Sequence, residues 1–248
     1  MAAYDFTAPR LFVAAGLEAG ARVPLDRGQA NYLLNVLRLQ PGGSVLVFNG
    51  RDGEWRAAVA AAGRKAAELV VEERTRPQTP PSNLLYLFAP LKHARLDYLV
   101  QKAVEMGVGA LKPIFTQHTQ ASRVNRERMQ ANVVEAAEQC GILAVPEVLP
   151  AQDFSAALSA LEPDRLVVFC DEEAPIANPI EALSNVQGLK AKVALLVGPE
   201  GGFADHEREL VLRRPGVVRL SLGPRVLRAD TAAVAALALV QAAIGDWR

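Results

Sequence analysis

Two apolar, strand-like runs near the end of the chain constrain the fold more than any other feature. The first, Val193–Val197, leads into the loop GPEGG at 198–202, and the second, Val217–Leu222, leads into GPRVLR at 223–228. A helix-like stretch follows each loop. This succession is typical of an open parallel sheet, in which ligands bind beyond the carboxyl ends of the strands. We therefore expect the two loops to hold a small cofactor.

The first loop also has a purely structural explanation. Its glycines can serve a strand-to-helix turn in which Asp205 caps the helix, while Glu207 and Glu209 favour the helix dipole. Glycine-rich turns are common, so this loop by itself does not distinguish a binding site from a turn.

The second loop favours a binding site. Apolar Val226 and Leu227 are unusual in a loop unless they pack against something flat, such as an adenine ring. Arg225 and Arg228 flank this pair, in a stretch from 210 to 229 that holds five arginines and no acid. The structural alternative is an ion pair between Arg228 and Asp230, which can cap the last helix.

Standard nucleotide and hydrolase fingerprints are absent from the sequence. Gly107 and Gly109 begin a GxGxxG pattern, but Lys112 stands at its third glycine and a strand follows. Neither the phosphate-loop GK[ST] nor the GxSxG elbow occurs. We therefore disfavour a Rossmann dehydrogenase, an NTPase and a serine hydrolase.

Charge and cysteine usage favour a reduced, cytoplasmic protein without a metal. The 27 basic and 27 acidic residues cancel, which argues against indiscriminate polyanion binding but allows a local basic patch. Cys140 and Cys170 form no CxxC pair, and the histidines at 93, 118 and 206 give no zinc-type spacing. The longest apolar run, Ala232–Ile244, is too short to span a bilayer.

The pattern along the chain predicts two domains. Residues 1–75 hold short strand candidates with glycine turns, typical of a small antiparallel, barrel-like unit, and one helix over 30–38. Asp26 and Gln29 would form the capping box of that helix, and Leu33, Val36 and Leu37 its core face. Residues 76–83 are proline-rich and predict a linker. From 84 to 248 strands alternate with helices, which predicts a parallel sheet covered on both faces.

Two further features have a functional and a neutral explanation. Asp97, Gln101 and Glu105 share one face of the helix predicted over 95–106, and a solvated helix face is the favoured explanation. Basic residues recur at loop ends, where a protein that binds RNA needs a local stripe. The candidates for RNA contact are Arg10, Arg38, Lys92, Arg123 and Arg225.

Several stretches of the chain resemble the motifs of a known family. LLVGPEGGFADHE (195–207) and LSLGPRVLRADTAAVAAL (220–237) resemble the C-terminal signature of the RsmE family. These are the 16S ribosomal RNA uracil-N3 methyltransferases of the SPOUT superfamily. The stretches at 97–120 and 135–148 look like that family's middle motifs, and those at 9–13 and 35–50 like its N-terminal RNA-binding domain.

The resemblance implies a SPOUT domain with a trefoil-knotted parallel sheet, preceded by a small PUA-like β-barrel domain. It implies S-adenosylmethionine as cofactor with no metal, a homodimer, and 16S ribosomal RNA or the small ribosomal subunit as substrate. Arg228 would stabilise charge on the uracil, and Asp230 or Glu105 would take its proton. The cofactor would contact Leu196, Gly198, Glu200, Gly201, Gly202, Leu220, Ser221, Leu222, Gly223, Val226 and Leu227.

Three residues depart from the family pattern. Tyr32 replaces a frequent histidine, Ile142 an arginine that would contact phosphate, and Asp230 a glutamate of longer reach. A non-catalytic RNA-binding or ribosome-assembly protein, and methylation of another RNA site, are the alternative functions.

Overall fold

The computed structural model describes residues 7–62, 67–92, 94–184, 186 and 192–247. The chain divides into two compact units: Met1–Pro80 with Ala137–Val145, and Pro81–Ala136 with Pro146–Arg248. The division between Pro80 and Pro81 falls inside the predicted linker. The expected second domain was continuous, whereas residues 137–145 cluster with the first unit.

The first unit is built on a five-stranded sheet. Its hydrogen-bonded order is β1-β3-β4-β5-β2. The strands are β1 (Arg10–Phe12), β2 (Arg22–Pro24), β3 (Ser44–Phe48), β4 (Glu54–Ala62) and β5 (Ala67–Arg76). The pairs among β2, β3, β4 and β5 are antiparallel as expected, but β1 lies parallel to β3, so the prediction of an antiparallel unit is wrong for this strand.

The helix of the first unit begins as predicted and ends differently. Asp26 and Gln29 form both bonds of the capping box at the start of α1 (Arg27–Asn31), which confirms that prediction. A π-helical turn, Tyr32–Val36, follows. The wider turn rotates later side chains out of helical register, so Leu33 is buried while Val36 is 61% exposed. Val36 and Leu37 are therefore not core residues.

Apolar contacts explain why residues 137–145 belong to the first unit. Ala137 and Leu143 are buried with Phe48 in one cluster, against which Ile142 is partly buried. Arg76 donates to the carbonyl of Gly141 at 3.0 Å. The isoleucine that departs from the family pattern thus serves packing.

A buried ion-pair cluster lies in the same unit. Glu54 accepts hydrogen bonds from Arg10 Nε at 3.0 Å and from Arg76 Nη2 at 2.6 Å. The side chains of Arg10 and Glu54 are 4% and 3% exposed. The prediction that Arg10 contacts RNA is corrected by this geometry, because a buried, paired guanidinium has no face for a phosphate.

The second unit contains a parallel sheet with the order β12-β10-β11-β6-β7-β8, and β9 pairs with β7. The strands are β6 (Leu84–Phe88), β7 (Ala110–Phe115), β8 (Glu147–Val148), β9 (Gln152–Asp153), β10 (Leu166–Cys170), β11 (Val193–Val197) and β12 (Val217–Leu220). The helices are α2 (Ala94–Glu105), α3 (Arg126–Cys140), α4 (Phe154–Ser159), α5 (Pro179–Ser184), α6 (Asp205–Leu212) and α7 (Ala229–Ile244).

Both faces of this sheet are covered. Leu196 and Phe169 belong to a cluster with Phe154 of α4 and Val211 of α6. Neighbouring strand residues point to the opposite face, where α7 packs on β11, α2 and α5. All five residues of β11 are buried in consequence, as expected for a central parallel strand. The trefoil knot stays a prediction. In the described ranges, none of the helices has the length and apolar character needed to cross a membrane.

Candidate cofactor site

The two glycine loops open at the same edge of the parallel sheet. They follow β11 and β12, which both pair with β10 in parallel. Carboxyl ends of parallel strands meet at one edge, so the two loops flank the end of β10. Strand β12 ends at Leu220, two residues earlier than predicted, and Ser221 and Leu222 therefore belong to the loop. The buried side chains of Leu196 and Leu220 leave only their backbones for a ligand.

The glycines of the first loop serve different purposes. A Cβ on Gly198 would lie 2.5 Å from the ring of Phe203, so this glycine is required by packing. A Cβ on Gly201 would lie 3.2 Å from the Cβ of His118, whose Nδ1 is 3.2 Å from the carbonyl oxygen of Gly202. Gly202 has a φ of 70°, with open space around its Cβ position. The structural explanation therefore applies to Gly198, which packing requires, whereas Gly202 has the open space that a ligand needs.

The second loop exposes backbone and apolar surface. Gly223 has a φ of 92° and open space beyond it, and Val226 is 86% exposed. Within the described part of the chain, the backbone N–H groups of Leu222, Val226 and Leu227 donate to no protein acceptor. Unpaired amides beside an apolar side chain are suited to a flat heterocycle with polar edges.

The structure separates the five arginines of the last segment into two groups. Arg219 binds Asp171, Arg213 binds Glu209, and Arg214 donates to the carbonyls of Leu161 and Glu162. Arg225 and Arg228 are exposed, and among the described residues their guanidinium groups have no hydrogen-bonding partner. The two arginines of the loop are therefore available to a ligand.

Asp171 was missed by the sequence analysis. It follows β10 directly, between the two loops, and its side chain is 4% exposed. Arg219 Nε lies 2.6 Å and Arg208 Nη2 3.3 Å from its Oδ2 atom. An acid immediately after an apolar strand was the available signal, since such a residue lies at the ligand edge of a parallel sheet.

Arg95 at the start of α2 was also missed. Its Nε and Nη2 atoms donate to the two oxygens of Asp230 at 3.0 Å, and Nη1 donates to Glu200 at 2.8 Å. The hydrogen bonds from Arg95 hold the pKa of Asp230 below its ordinary value. A carboxylate held in this way is a poor proton acceptor. This argues against the predicted role of Asp230 as a base.

Asp205 and Asp230 do not form the helix caps predicted for them. Asp230 is the second residue of α7, and the N-cap is Arg228, whose side chain makes no capping bond. The N-cap of α6 is Ala204, and Glu207 accepts from its backbone N–H at 3.0 Å. Glu207 also accepts from the N–H of Gln117, which joins the loop after β7 to α6. Asp205 is the first residue of α6 and Asp230 the second of α7, so both lie too late in the chain to be caps. Asp230 instead pairs with Arg95 of α2.

Glu105 is not brought to the loops. It is the last residue of α2, whereas Arg95 is in its first turn. Ten helical residues separate the two by about 15 Å. Glu105 instead accepts from Lys102 at 2.7 Å. The favoured explanation, a solvated helix face, therefore fits Glu105 better than proton transfer.

The remaining candidates for RNA contact are exposed. Arg38 lies in the first unit with a φ of 57°, and a non-glycine residue in this region is uncommon outside functional or strained sites. Lys92, Arg123 and Arg225 lie in the second unit. In the part of the chain that the structure describes, which excludes His93, no cluster of acidic, histidine and cysteine side chains could hold a metal ion.

Tyr86 presents a buried hydroxyl with no hydrogen-bonding partner among the described residues. Burial raises the pKa of Tyr86 well above its ordinary value, and Cys170 and Asp230 add to this. An unsatisfied buried hydroxyl costs about 1–3 kcal/mol. We expect Tyr86→Phe to raise the Tm by roughly 2–4 °C per kcal/mol recovered, measured by calorimetry. An unchanged or lower Tm would show that the hydroxyl has a partner in solution. Tyr98→Phe, at an exposed ring, is the control.

A family profile described as an RNA methyltransferase domain matches residues 78–241, and one described as an RNA methyltransferase PUA domain matches residues 25–72. A ribosomal RNA small subunit methyltransferase E of Synechocystis is 33% identical over 238 residues, covering 94% of this chain and 77% of that protein. The chain belongs to the ribosomal RNA small subunit methyltransferase E family.

Other members of the methyltransferase E family extend this finding. The Rickettsia conorii protein is 29% identical, with 94% of each chain covered. The crystal structure of the Neisseria gonorrhoeae enzyme bound to S-adenosyl methionine superposes with a TM-score of 0.87, at 28% identity, over 97% of this chain and 100% of that one. The predicted family, and its α/β fold with a PUA-type N-terminal domain, are confirmed.

Proposed function

We propose that this protein transfers a methyl group from S-adenosylmethionine to N3 of a uridine in 16S ribosomal RNA. Membership of the methyltransferase E family supports the reaction class. The observation that carries the proposal is the second loop, where backbone amides and two arginines lie side by side without a partner among the described residues. A loop that served only as a strand-to-helix turn would need neither feature.

The residues of the two loops fit S-adenosylmethionine. The backbone amides of Leu222, Val226 and Leu227, which have no acceptor within the described residues, suit the acceptor nitrogens of an adenine edge, and exposed Val226 suits its face. Gly202 and Gly223, with positive φ and open space beyond, allow close backbone approach. Leu196, Gly198 and Leu220 would contribute backbone groups or loop shape, and Glu200, Gly201 and Ser221 the loop rims.

The chemistry requires loss of the uracil imide proton and alignment of N3 with the methyl group that the cofactor supplies. Arg228 at the start of α7 is the residue we assign to stabilising the negative charge on the uracil. Asp230 is bound by Arg95 and Glu105 lies about 15 Å away along α2. We therefore assign the proton to solvent instead of to either carboxylate.

RNA binding would use the exposed cations. Lys92, Arg123 and Arg225 are exposed on the second unit and Arg38 on the first. A phosphate contact releases counterions, so the logarithm of the RNA association constant falls as the logarithm of the salt concentration rises. Each neutralised phosphate makes this slope steeper by about 0.7–0.9. The target base must also leave its stack, so that its N3 atom can reach the methyl group of the cofactor.

We further propose a cytoplasmic homodimer. Tyr98 of α2, Ile180 of α5 and Trp247 after α7 are large, exposed and apolar. Helices α2 and α5 each pack on α7, which supports a shared contact surface. Sedimentation at micromolar concentration tests this, and a monomer mass would contradict it.

The function is tested by nucleoside mass spectrometry of 16S ribosomal RNA from a strain that lacks this protein. We expect one uridine to lose its N3 methyl group, and purified protein with S-adenosylmethionine to restore it on isolated small subunits. Persistence of the modified uridine, with no second enzyme responsible, would refute the proposal.

The alternative is a non-catalytic RNA-binding or ribosome-assembly protein. Such a protein need not keep a cofactor site, so calorimetric titration with S-adenosylmethionine distinguishes the two functions. Binding favours the enzyme, and RNA binding without cofactor binding favours the alternative.

We predict that Gly201→Val abolishes cofactor binding. The Cβ would already lie 3.2 Å from His118, and the two added methyl groups would force the loop to move. Calorimetry measures the affinity, and hydrogen exchange checks that the first unit stays folded. The matched control is Gly16→Val, since Gly16 has an ordinary φ and no atom within 4 Å of its Cβ position. Equal affinity of both variants for S-adenosylmethionine would refute the assignment of this loop.

A further inference from the structure

We propose that Arg95 is a positioning residue that fixes the spacing of the two cofactor loops. This rests on the proposed function, because it assumes that the loops bind S-adenosylmethionine. Arg95 stands in α2 and binds Glu200 of the first loop and Asp230 of α7, directly after the second loop. One side chain thus joins α2 to two later segments, whose contacting residues lie 105 and 135 residues further along the chain.

The geometry of this contact is specific to arginine. The pair with Asp230 uses Nε and Nη2 against the two carboxylate oxygens, which is the bidentate fork. The remaining Nη1 reaches Glu200 at 2.8 Å. A lysine ammonium is a point charge on a flexible stem and cannot hold two carboxylates in this fixed arrangement.

Charge explains what the contact prevents. Without Arg95, the carboxylates of Glu200 and Asp230 would face each other unpaired at the rim of the site. Their repulsion would separate the loops and would also repel RNA phosphates. With Arg95 present, the three groups keep a net charge of −1, which suits the positive sulfonium of the cofactor.

This role predicts a particular kinetic pattern. Loop spacing matters equally for bound cofactor and for the transition state, so its loss weakens binding with little change in kcat. We expect Arg95→Met to raise the Kd and the KM for S-adenosylmethionine by roughly 10-fold or more, the range for a lost charged hydrogen bond. Arg95→Lys should recover part of this loss.

Arg128→Met is the matched control. Arg128 makes a bidentate contact of the same kind, from Nε and Nη2 to the two carboxylate oxygens of Asp97. Asp97 stands two residues after Arg95 in α2, so the two side chains leave the helix on opposite sides. We expect a Kd within about 2-fold of the wild type, because exposed ion pairs contribute little. The double variant Arg95→Met/Glu200→Gln should bind S-adenosylmethionine no more weakly than Arg95→Met alone, because one of the two carboxylates that repel each other is gone.

The outcomes separate the two proposals. A wild-type protein that does not bind S-adenosylmethionine in calorimetry overturns the proposed function. A wild-type protein that binds it, with Arg95→Met no weaker than Arg128→Met, overturns the role of Arg95 alone. A fall in kcat at unchanged KM in Arg95→Lys also overturns it, because that pattern belongs to a residue acting in the transition state. Lys is the variant used for this comparison, because it retains the positive charge.

Discussion

Replacement of Arg228 by alanine is expected to lower kcat about 100- to 1,000-fold, with the KM for S-adenosylmethionine nearly unchanged. Arg228 is exposed at the N-cap of α7, and its guanidinium has no partner within the described residues. A cation free of structural bonds can be directed at charge that develops only on the uracil, so its removal affects the transition state more than the ground state. Methyl transfer to purified small subunits, followed by nucleoside mass spectrometry, measures the effect.

Two control variants make this result specific. Arg213→Ala removes an exposed arginine that pairs with Glu209 on the surface of α6, and full activity is expected. Arg225→Ala should raise the KM for RNA and reduce its salt dependence, as loss of a phosphate contact does. The assignment of Arg228 is wrong if its alanine variant keeps wild-type kcat, or if it loses cofactor binding instead.

Replacement of Glu54 by glutamine is expected to destabilise the first unit by about 3–5 kcal/mol, the cost of breaking a buried ion pair. Glu54 is 2% exposed and lies between Arg10 and Arg76. The amide is similar in size but uncharged, so it leaves buried cations without their acid. Hydrogen exchange of β4, with thermal unfolding, measures the loss. Glu68→Gln is the matched control on the same sheet, because its pair with Arg22 is exposed, and a change under about 1 kcal/mol is expected.

The pH dependence of this effect follows from the pKa of Glu54. Burial opposes ionisation, but hydrogen bonds from Arg76, Thr75 and Arg10 outweigh it and hold the pKa below its ordinary value. A lowered pKa in the folded state adds stability above the pKa of the unfolded state, and that stability is lost as pH falls. The difference between wild type and Glu54→Gln should therefore shrink below about pH 4.5. A difference that stays constant down to pH 3 would contradict the lowered pKa of Glu54.

Local patterns were sufficient for the main elements of both units. Strands β6 and β11 are continuous apolar runs, and such runs must be buried on two faces wherever they occur. The capping box of Asp26 and Gln29 spans three residues and forms as expected. The glycine loops after β11 and β12 lie where the apolar runs stop. The family followed from the same stretch, since its loops carry the residues that resemble the family signature.

Distant pairing decided which charged residues are available. Arg10 looked like a loop-end cation, yet Glu54, 44 residues away, buries it. Asp230 looked like a cap or a base, yet Arg95, 135 residues earlier, binds it. The exposure of Val36 has a local cause instead: the π-helical turn at Tyr32–Val36 turns this side chain outward, against the helical spacing.

The sequence alone determined the parallel sheet and the two glycine loops, because burial of apolar strands and the conformations of glycine depend on short stretches of chain. The tertiary structure alone decided that Arg213, Arg214 and Arg219 are paired, while Arg225 and Arg228 have no partner in the ranges that the structure describes. These five arginines lie within sixteen residues of one another and have the same chemistry. They differ only in which acids and carbonyls the fold brings within hydrogen-bonding distance.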